Sequence, residues 1–171
     1  MMKTIWKKKL SAWTKKLSVG NAVIDSEHRN LIAMINDIES LINARDGSAL
    51  LQAFEQLEHW LCIHFANEAN IAQSINYDFA QHKLAEQKLQ EEIRRLKDEL
   101  EAKGGTWSED EIKRYAVCLK NWLTKHIMEV DMLMKPALQN LPYDFLPKNA
   151  VEKCGCGCKV APVVCKDSYD Y

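Results

Sequence analysis

The segment LLQAFEQLEHWLCIHFANEANI, residues 50–71, carries both the apolar rhythm and the polar interruptions that decide the fold. Its apolar positions recur at steps of three and four residues, the spacing that places side chains on one face of an α-helix. That face consists of Leu50, Phe54, Leu57, Leu61, His64, Glu68 and Ile71. A histidine and a carboxylate therefore stand where a buried apolar face is expected, and burying such groups without partners is costly.

Three more segments show the same helical spacing, one before residues 50–71 and two after them. Their faces consist of Ile24, His28, Leu31, Ile35, Ile38 and Ile42; of Phe79, His82, Glu86, Leu89, Ile93, Leu96 and Leu100; and of Ile112, Tyr115, Leu119, Leu123 and His126. Each face includes a histidine. The pattern predicts four amphipathic helices that direct polar side chains toward one shared core.

Signals for helix ends separate these segments. The first helix is expected to end near Arg45-Asp46-Gly47, and Asp78 can cap the third helix, which Gly104-Gly105 ends. Residues 108–111 form a capping box that opens the fourth helix, which we expect to continue to Pro136. Short connections make successive helices antiparallel, so the predicted fold class is all-α, an antiparallel up-down-up-down four-helix bundle.

Length and composition predict one such bundle with an extension on each side. The chain has 171 residues, of which 47% are hydrophobic, and this is enough for one core. We assign residues 1–20 to an N-terminal arm and residues 21–145 to the bundle. Residues 146–171 lose the helical periodicity, and we expect them to form a disordered tail.

Charge and hydropathy limit the partners. The formal net charge is -1, so no general basic field favours nucleic acid. The lysine-rich opening is interrupted by charge too often for a signal peptide, and no later stretch is apolar enough to span a membrane. We therefore expect a cytoplasmic protein, a monomer or small oligomer, with no nucleic-acid or membrane partner.

The polar residues on the apolar faces have the spacing of metal ligands. His64 and Glu68 are four residues apart, and so are His82 and Glu86. This spacing stacks both members of a pair on one face of a helix, so each pair can reach the bundle axis. A metal is the partner that satisfies all of these groups together.

The residue types restrict the metal. Asp131 follows His126 by five residues, an offset of about 140° on a continuous helix, which suits a ligand that crosses to a second metal. Imidazole and carboxylate favour iron, zinc or manganese, and bridging carboxylates are typical of di-iron sites. Zinc is not excluded by residue type. The sequence lacks His-Glu-x-x-His and Glu-x-x-His, so metalloproteases and ferritin-like bundles are disfavoured.

These residues stand in motifs that resemble those of the hemerythrin family, which includes bacterial hemerythrin-like proteins. The motifs are Trp13 before LSVG, IDSEH ending at His28, HFANE at residues 64–68, His82, and WLTKHIMEVD at residues 122–131. The resemblance runs from Trp13 to about Pro142. It covers most of the chain, and the motifs together are highly specific.

The resemblance implies two non-haem iron ions with carboxylate and oxo or hydroxo bridges. Under it, one iron is held by His28 and His64, the other by His82, residue 86 and His126, and the bridges are Glu68 and Asp131. In that family, dioxygen binds end-on at the five-coordinate iron, which is the one with fewer histidine ligands. No haem takes part in oxygen binding in that family.

One position departs from the family pattern. Glu86 stands where the family usually has a fifth ligating histidine. Its place on the apolar face predicts that it ligates iron, whereas the alternative is a side chain turned to solvent or to a neighbour. An anionic oxygen ligand stabilises the ferric state and lowers the reduction potential.

The environment of the ligand is expected to be apolar and closed to water, because bound oxygen is otherwise lost through proton-assisted side reactions. The candidates for its wall stand next to ligands in the sequence and are Phe65, Trp122, Leu123 and Ile127. Ordinary core packing is the alternative role for each of them.

The two extensions carry their own motifs. Cys154, Cys156, Cys158 and Cys165 form C-x-C-x-C-x6-C, whose thiolates suit soft metals or reversible oxidation. An inert extension is the alternative, and spacing does not decide between them. In the arm, Trp13 is expected to pack across the end of the bundle, with a membrane-surface helix as the alternative.

Three functions are compatible with this pattern. The first is dioxygen binding for carriage, storage, delivery to an oxygen-using enzyme, or sensing, and the lack of an obvious general acid near the ligands favours it. The second is a di-iron peroxidase, oxidase or nitric-oxide-handling enzyme, which Glu86 favours. The third is iron or zinc homeostasis with the cysteine tail as a metal-handling arm.

Overall fold

The computed structural model describes residues 13–104 and 106–148. The helices are α1 (Ala22–Ala44), α2 (Gly47–Ser74), α3 (Ala80–Ala102), α4 (Glu109–Glu129) and the short α5 (Lys135–Leu138), with 3-10 turns at Lys15–Leu17 and Asp131–Met134. No strand occurs among these residues. The prediction of an all-α four-helix bundle is confirmed.

The four long helices form a closed ring. Helix α1 packs against α2 and α4, and α3 packs against α2 and, less extensively, against α4. Since each connection is short, neighbours in the ring run in opposite directions. The apolar faces predicted from the sequence meet inside the ring, where Ile38, Leu50, Phe54 and Tyr115 have no exposed surface.

The expected cap signals set most of the helix ends. Arg45 ends α1 with a left-handed backbone, φ 58°, and Asp46 caps α2 by accepting a hydrogen bond from the Ala49 amide. Ser108 and Glu111 form the predicted capping box of α4. A side-chain cap satisfies amide groups that the first turn of a helix leaves without partners.

Two predicted boundaries differ from the structure. Phe79, one residue after the predicted Asp78, is the N-cap of α3, although the Asp78 carboxylate still accepts a hydrogen bond from the Ala80 amide at 3.1 Å. Helix α4 ends at Glu129 and does not continue to Pro136, which lies in the first turn of α5. Proline fits a first turn because no amide hydrogen is needed there.

A buried carboxylate joins both ends of the described chain to α1. Asp25 accepts hydrogen bonds from the Ser18 hydroxyl at 2.5 Å, the Val19 amide at 2.9 Å and the Tyr143 hydroxyl at 3.1 Å. Trp13 packs against the main core, and the Arg29 guanidinium lies 4.1 Å from the centre of its ring. These contacts close the end of the bundle at which α1 begins.

Some predictions concern residues outside the described ranges. Most of the arm and nearly all of the tail, including its four cysteines, lie there, so the predicted domain boundaries and the expected disorder remain predictions. Within residues 13–104 and 106–148, no helix combines the length and the apolar character that crossing a membrane requires.

Candidate metal centre

The structure brings the predicted histidines and carboxylates together inside the bundle. Helix α1 supplies His28, α2 supplies His64 and Glu68, α3 supplies His82, α4 supplies His126, and Asp131 follows in the 3-10 turn. All six are buried, and His28, Glu68 and Asp131 have no exposed surface. Four helices thus converge on one polar cluster within an otherwise apolar core.

One half of the cluster lies between α1 and α2. The Nε2 atom of His28 is 3.0 Å from Asp131 Oδ2, and the Nε2 atom of His64 is 3.5 Å from Glu68 Oε2. The two imidazole rings lie edge to face with their centres 4.9 Å apart. This half therefore offers two ring nitrogens and two carboxylates.

The other half lies between α3 and α4. The Nε2 atom of His82 is 3.2 Å from Glu68 Oε2 and 3.2 Å from Asp131 Oδ1. The Nε2 atom of His126 is 3.0 Å from the same Asp131 oxygen. The same two carboxylates therefore face ring nitrogens on both sides.

Donor atoms from these residues form two groups, each with the dimensions of a metal site. One group is His28, His64, Glu68 and Asp131, and the other is Glu68, His82, His126 and Asp131; within each, one donor atom per residue lies within 4.8 Å of the others. Glu68 and Asp131 belong to both groups. Two ions that share two carboxylates fit this arrangement.

The hydrogen bonding of the cluster supports the fit of a metal. Buried atoms that receive no hydrogen bond from any described residue include Nε2 of His28, His64 and His126, one oxygen each of Glu68 and Glu86, and both carboxylate oxygens of Asp131. Buried polar atoms nearly always have partners, and leaving them without one is costly. A cation among these atoms satisfies them together.

The pKa values of the buried carboxylates also support a bound metal. Burial, reinforced by the nearby Asp131, raises the pKa of Glu68 well above its ordinary value. Burial also opposes ionisation of Asp131, but contacts with His126, His28 and His82 outweigh it and hold the pKa of Asp131 well below its ordinary value. Buried carboxylates that repel one another favour a bound cation, which reverses the cost of their charge.

Glu86 lies at the edge of the cluster. Its side chain is buried on α3, and its Oε1 atom is 3.5 Å from His82 Nε2. It is outside both of the four-residue groups. Burial, and then the charge of Glu68, raise the pKa of Glu86 to about 9. Its inward orientation agrees with the sequence, and its ligation of a metal remains a prediction.

Asp131 reaches the cluster by a different route from the one expected. The predicted offset of about 140° assumed a continuous helix. In the structure, α4 ends at Glu129, Val130 has φ -117° and ψ -65°, and Asp131 begins a 3-10 turn. The change of helix type, and not the angle along α4, directs the carboxylate between the histidines.

Two residues that support the site are not among those predicted from the sequence. Glu27 Oε2 lies 2.9 Å from His64 Nδ1, and the Asn67 amide donates a hydrogen bond to Glu27 Oε1 at 2.6 Å. A carboxylate on the far nitrogen fixes the orientation of a ligating histidine and raises its basicity. The signal was present, because Glu27 is three residues after Ile24 and four before Leu31 on the apolar face.

Of the predicted wall residues, Phe65 lies against histidines of the cluster, and the other three lie in or against the main core. The Phe65 ring centre is 5.5 Å from that of His64 and 5.6 Å from that of His126, so this ring covers the cluster between α2 and α4. Ile127 is fully buried in the core, and Leu123 is 4% exposed. Trp122 is partly buried and packs against the same core.

The chain is similar to proteins of one known family over most of its length. The model of the hemerythrin HHE cation binding domain matches residues 19–138. A bacteriohemerythrin of Pseudomonas aeruginosa is 29% identical over 121 residues, which cover 70% of this chain and 75% of that protein. A hemerythrin-like protein of Naegleria gruberi is 28% identical over 127 residues, which cover 74% of this chain and 92% of that protein.

Another relative, less similar in sequence, is matched over almost the whole of its own length. A bacteriohemerythrin of Methylococcus capsulatus is 25% identical over 131 residues, which cover 75% of this chain and 97% of that protein. No solved structure shows a significant match to the chain. The matched region contains all six residues of the two metal-site groups. With its four-helix bundle and a buried cluster that fits a metal, the chain belongs to the hemerythrin family.

Proposed function

We propose that this protein holds two non-haem iron ions in the cluster and binds dioxygen there. The observation that carries the proposal is the sharing of Glu68 and Asp131 between two groups of histidines. Carboxylates that face two metal positions are typical of paired iron sites in helical bundles. Bacteriohemerythrins are among the relatives of the chain, and two of them match 70% and 75% of its length.

The two halves of the cluster would hold their ions with different numbers of protein ligands. His28 and His64 serve one position, and His82 and His126 serve the other, where Glu86 is the additional candidate ligand. The position with fewer protein ligands has room for an external molecule. Iron supplies the redox chemistry of dioxygen binding, and the protein sets the number and orientation of the ligands.

The surrounding residues support reversible binding. Phe65 is buried beside the cluster and carries no titratable group, so it excludes water and does not donate a proton. Glu27 and Asn67, which also approach the cluster, hydrogen-bond to each other, and Glu86 lies at its edge, 3.5 Å from His82. An apolar environment slows proton-assisted side reactions.

A second function, a di-iron oxidase, peroxidase or nitric-oxide-handling enzyme, is favoured by Glu86. A carboxylate in this position adds negative charge to the His82 and His126 half and favours the oxidised metal. Rapid oxidation would shorten the life of an oxygenated form. Carriage, storage, delivery to an oxygen-using enzyme and sensing all require the opposite, an oxygenated form that persists.

The test is the fate of the reduced protein in air. The iron-loaded protein is reduced without oxygen, exposed to dioxygen, and followed by its near-ultraviolet and visible absorption. We expect a spectrum that forms on exposure, persists, and reverses when oxygen is removed. Irreversible oxidation accompanied by turnover of added peroxide would instead support the enzyme.

A further inference from the structure

Two spaces beside the candidate metal centre share a wall. A groove of about 280 Å³ opens between α3 and α4, and a small cavity of about 10 Å³ lies among buried side chains inside the bundle. Leu89 of α3 and Trp122 of α4 line both spaces. These two side chains therefore form the partition between the groove at the surface and the cavity in the core.

The cavity lies close to the metal centre along the bundle axis. All four long helices contribute to its wall. On three of them a wall residue stands three positions from a candidate ligand: Leu61 before His64, Leu89 after Glu86, and Leu123 before His126. Three residues of α-helix rise about 4.5 Å. The cavity therefore begins about one helical turn from the cluster.

The chemistry of the cavity selects an apolar occupant. Apart from the ring of Trp122, its wall consists of leucine and isoleucine side chains. Apolar cavities in proteins stay dry and accept apolar molecules such as xenon, and a volume near 10 Å³ corresponds to about one water-sized sphere. A single small diatomic molecule therefore suits this space, and an ion does not.

The groove gives access to the partition from solvent. Its side chains include Lys88, Glu92, Lys125 and Glu129, whose formal charges cancel, and Lys125 lies 3.8 Å from Glu129. A mouth of mixed charge does not steer ions of either sign toward it. Because α3 and α4 are the least extensively packed neighbours in the ring, this side of the bundle is the easiest to open.

The groove also reaches the cluster. His126 lines it and is 6% exposed, whereas His28 has no exposed surface. The groove therefore approaches the metal centre from the His82 and His126 half. Leu89 and Trp122 separate a molecule in the groove from the cavity in the core.

We propose that Leu89 and Trp122 form a gate through which a small neutral apolar molecule passes from the groove into the cavity and on to the metal centre. The identity of the molecule, dioxygen, rests on the proposed function. The path itself rests on the two spaces and their shared wall. Rotation of two side chains opens such a gate, so passage requires no movement of the helices.

Rates of oxygen binding test the gate. Leu89→Ala removes half of the partition, and Leu96→Ala is the matched control, since Leu96 is a buried leucine of α3 that lines neither space. We expect Leu89→Ala to raise association and dissociation rates equally, by roughly three- to tenfold, with an unchanged equilibrium constant, the signature of a lowered barrier. Rates equal to those of Leu96→Ala would overturn the gate.

A second measurement does not depend on oxygen binding at iron. Dioxygen is paramagnetic, so under oxygen pressure it speeds the relaxation of methyl protons near which it resides. In the oxidised full-length protein, we expect methyl groups of Leu89 and Leu123 to respond more strongly than those of Leu96. A uniform response would overturn the path. If the methyl groups respond but the reduced protein binds no oxygen, the proposed function fails and the path stands.

Discussion

His64 Nδ1 lies 2.9 Å from Glu27 Oε2, so a carboxylate on α1 orients a candidate metal ligand on α2. When Nδ1–H donates to this carboxylate, Nε2 carries no proton and is free to bind a metal. Burial lowers the pKa of His64, although the hydrogen bond to Glu27 opposes that effect. The ring is therefore held neutral and in the tautomer that a metal requires.

The first prediction concerns this hydrogen bond. In Glu27→Gln, a neutral amide replaces the carboxylate, so His64 loses basicity and its ring is less firmly oriented. We expect metal affinity to fall by about 10 to 100 fold, measured by competition with a chelator. Glu39→Gln is the control, since Glu39 is also on α1 but pairs with Lys120 far from the cluster. Equal affinities of the two variants would contradict the role of Glu27.

The second prediction concerns the charge of Glu86. Glu86→His should rebuild the usual ligand set of the family, raise the reduction potential and lengthen the life of the oxygenated form. Glu86→Ala should open a coordination position, so azide should bind more tightly. A change of ligand should alter these properties by at least the roughly 10 to 100 fold expected for a supporting residue. Both variants should keep the fold, because the apolar faces are untouched.

Oxidation rates and azide titrations of the wild type, Glu86→His and Glu86→Ala provide the comparison. Agreement of all three within error would mean that Glu86 does not ligate a metal. The enzyme hypothesis would then lose its main support.

The third prediction concerns pH. Burial raises the pKa of Glu86 from 4.5 to about 9 in the metal-free fold. Between these values the folded chain holds a proton that the unfolded chain has released, so the metal-free fold loses stability as pH rises. The slope is at most about 1.4 kcal/mol per pH unit. Below pH 4.5 this loss is absent, and above about 9 it is complete.

Glu86→Gln removes this titration and keeps the shape of the side chain. We therefore expect metal-free Glu86→Gln to gain stability relative to metal-free wild type as pH rises from 4.5 to about 9. Denaturant unfolding at several pH values measures the difference. Parallel curves for the two proteins would show that Glu86 ionises normally in the fold.

The fourth prediction concerns the closed end of the bundle. Asp25→Ala removes the acceptor of three hydrogen bonds from Ser18, Val19 and Tyr143. Since each such bond to a charged group contributes about 1.5 to 3 kcal/mol and the losses overlap, we expect a destabilisation of roughly 2 to 4 kcal/mol. The matched control is Asp37→Ala, an exposed position of the same helix. A loss of stability no larger than that of Asp37→Ala would show that the hydrogen bonds to Asp25 do not stabilise the fold.

The sequence predicts the long helices and their inward residues because the helical period is rigid. Once the faces are aligned, His28, His64 and His82 have to point toward one axis. The same rule fails at Asp131, because α4 changes into a 3-10 turn before it reaches this residue. No pattern of apolar residues predicts that change, although the family motif includes the aspartate.

Other features depend on contacts between distant residues. The partners of Asp25 include Tyr143, 118 positions away, and no local signal connects them. Glu27 stands on the apolar face, but it is 37 positions from His64 and on another helix, so its link to His64 could be read only from the structure. The partition made by Leu89 and Trp122 follows from how closely α3 and α4 pack.

The metal content of the purified protein decides whether two iron ions share Glu68 and Asp131. The protein is produced with ample iron, and its iron and zinc are measured per chain by emission spectroscopy. Because the two groups share two carboxylates and the chain belongs to the hemerythrin family, we expect about two iron ions per chain and little zinc. Stoichiometric zinc without iron would mean that the cluster is not a di-iron centre.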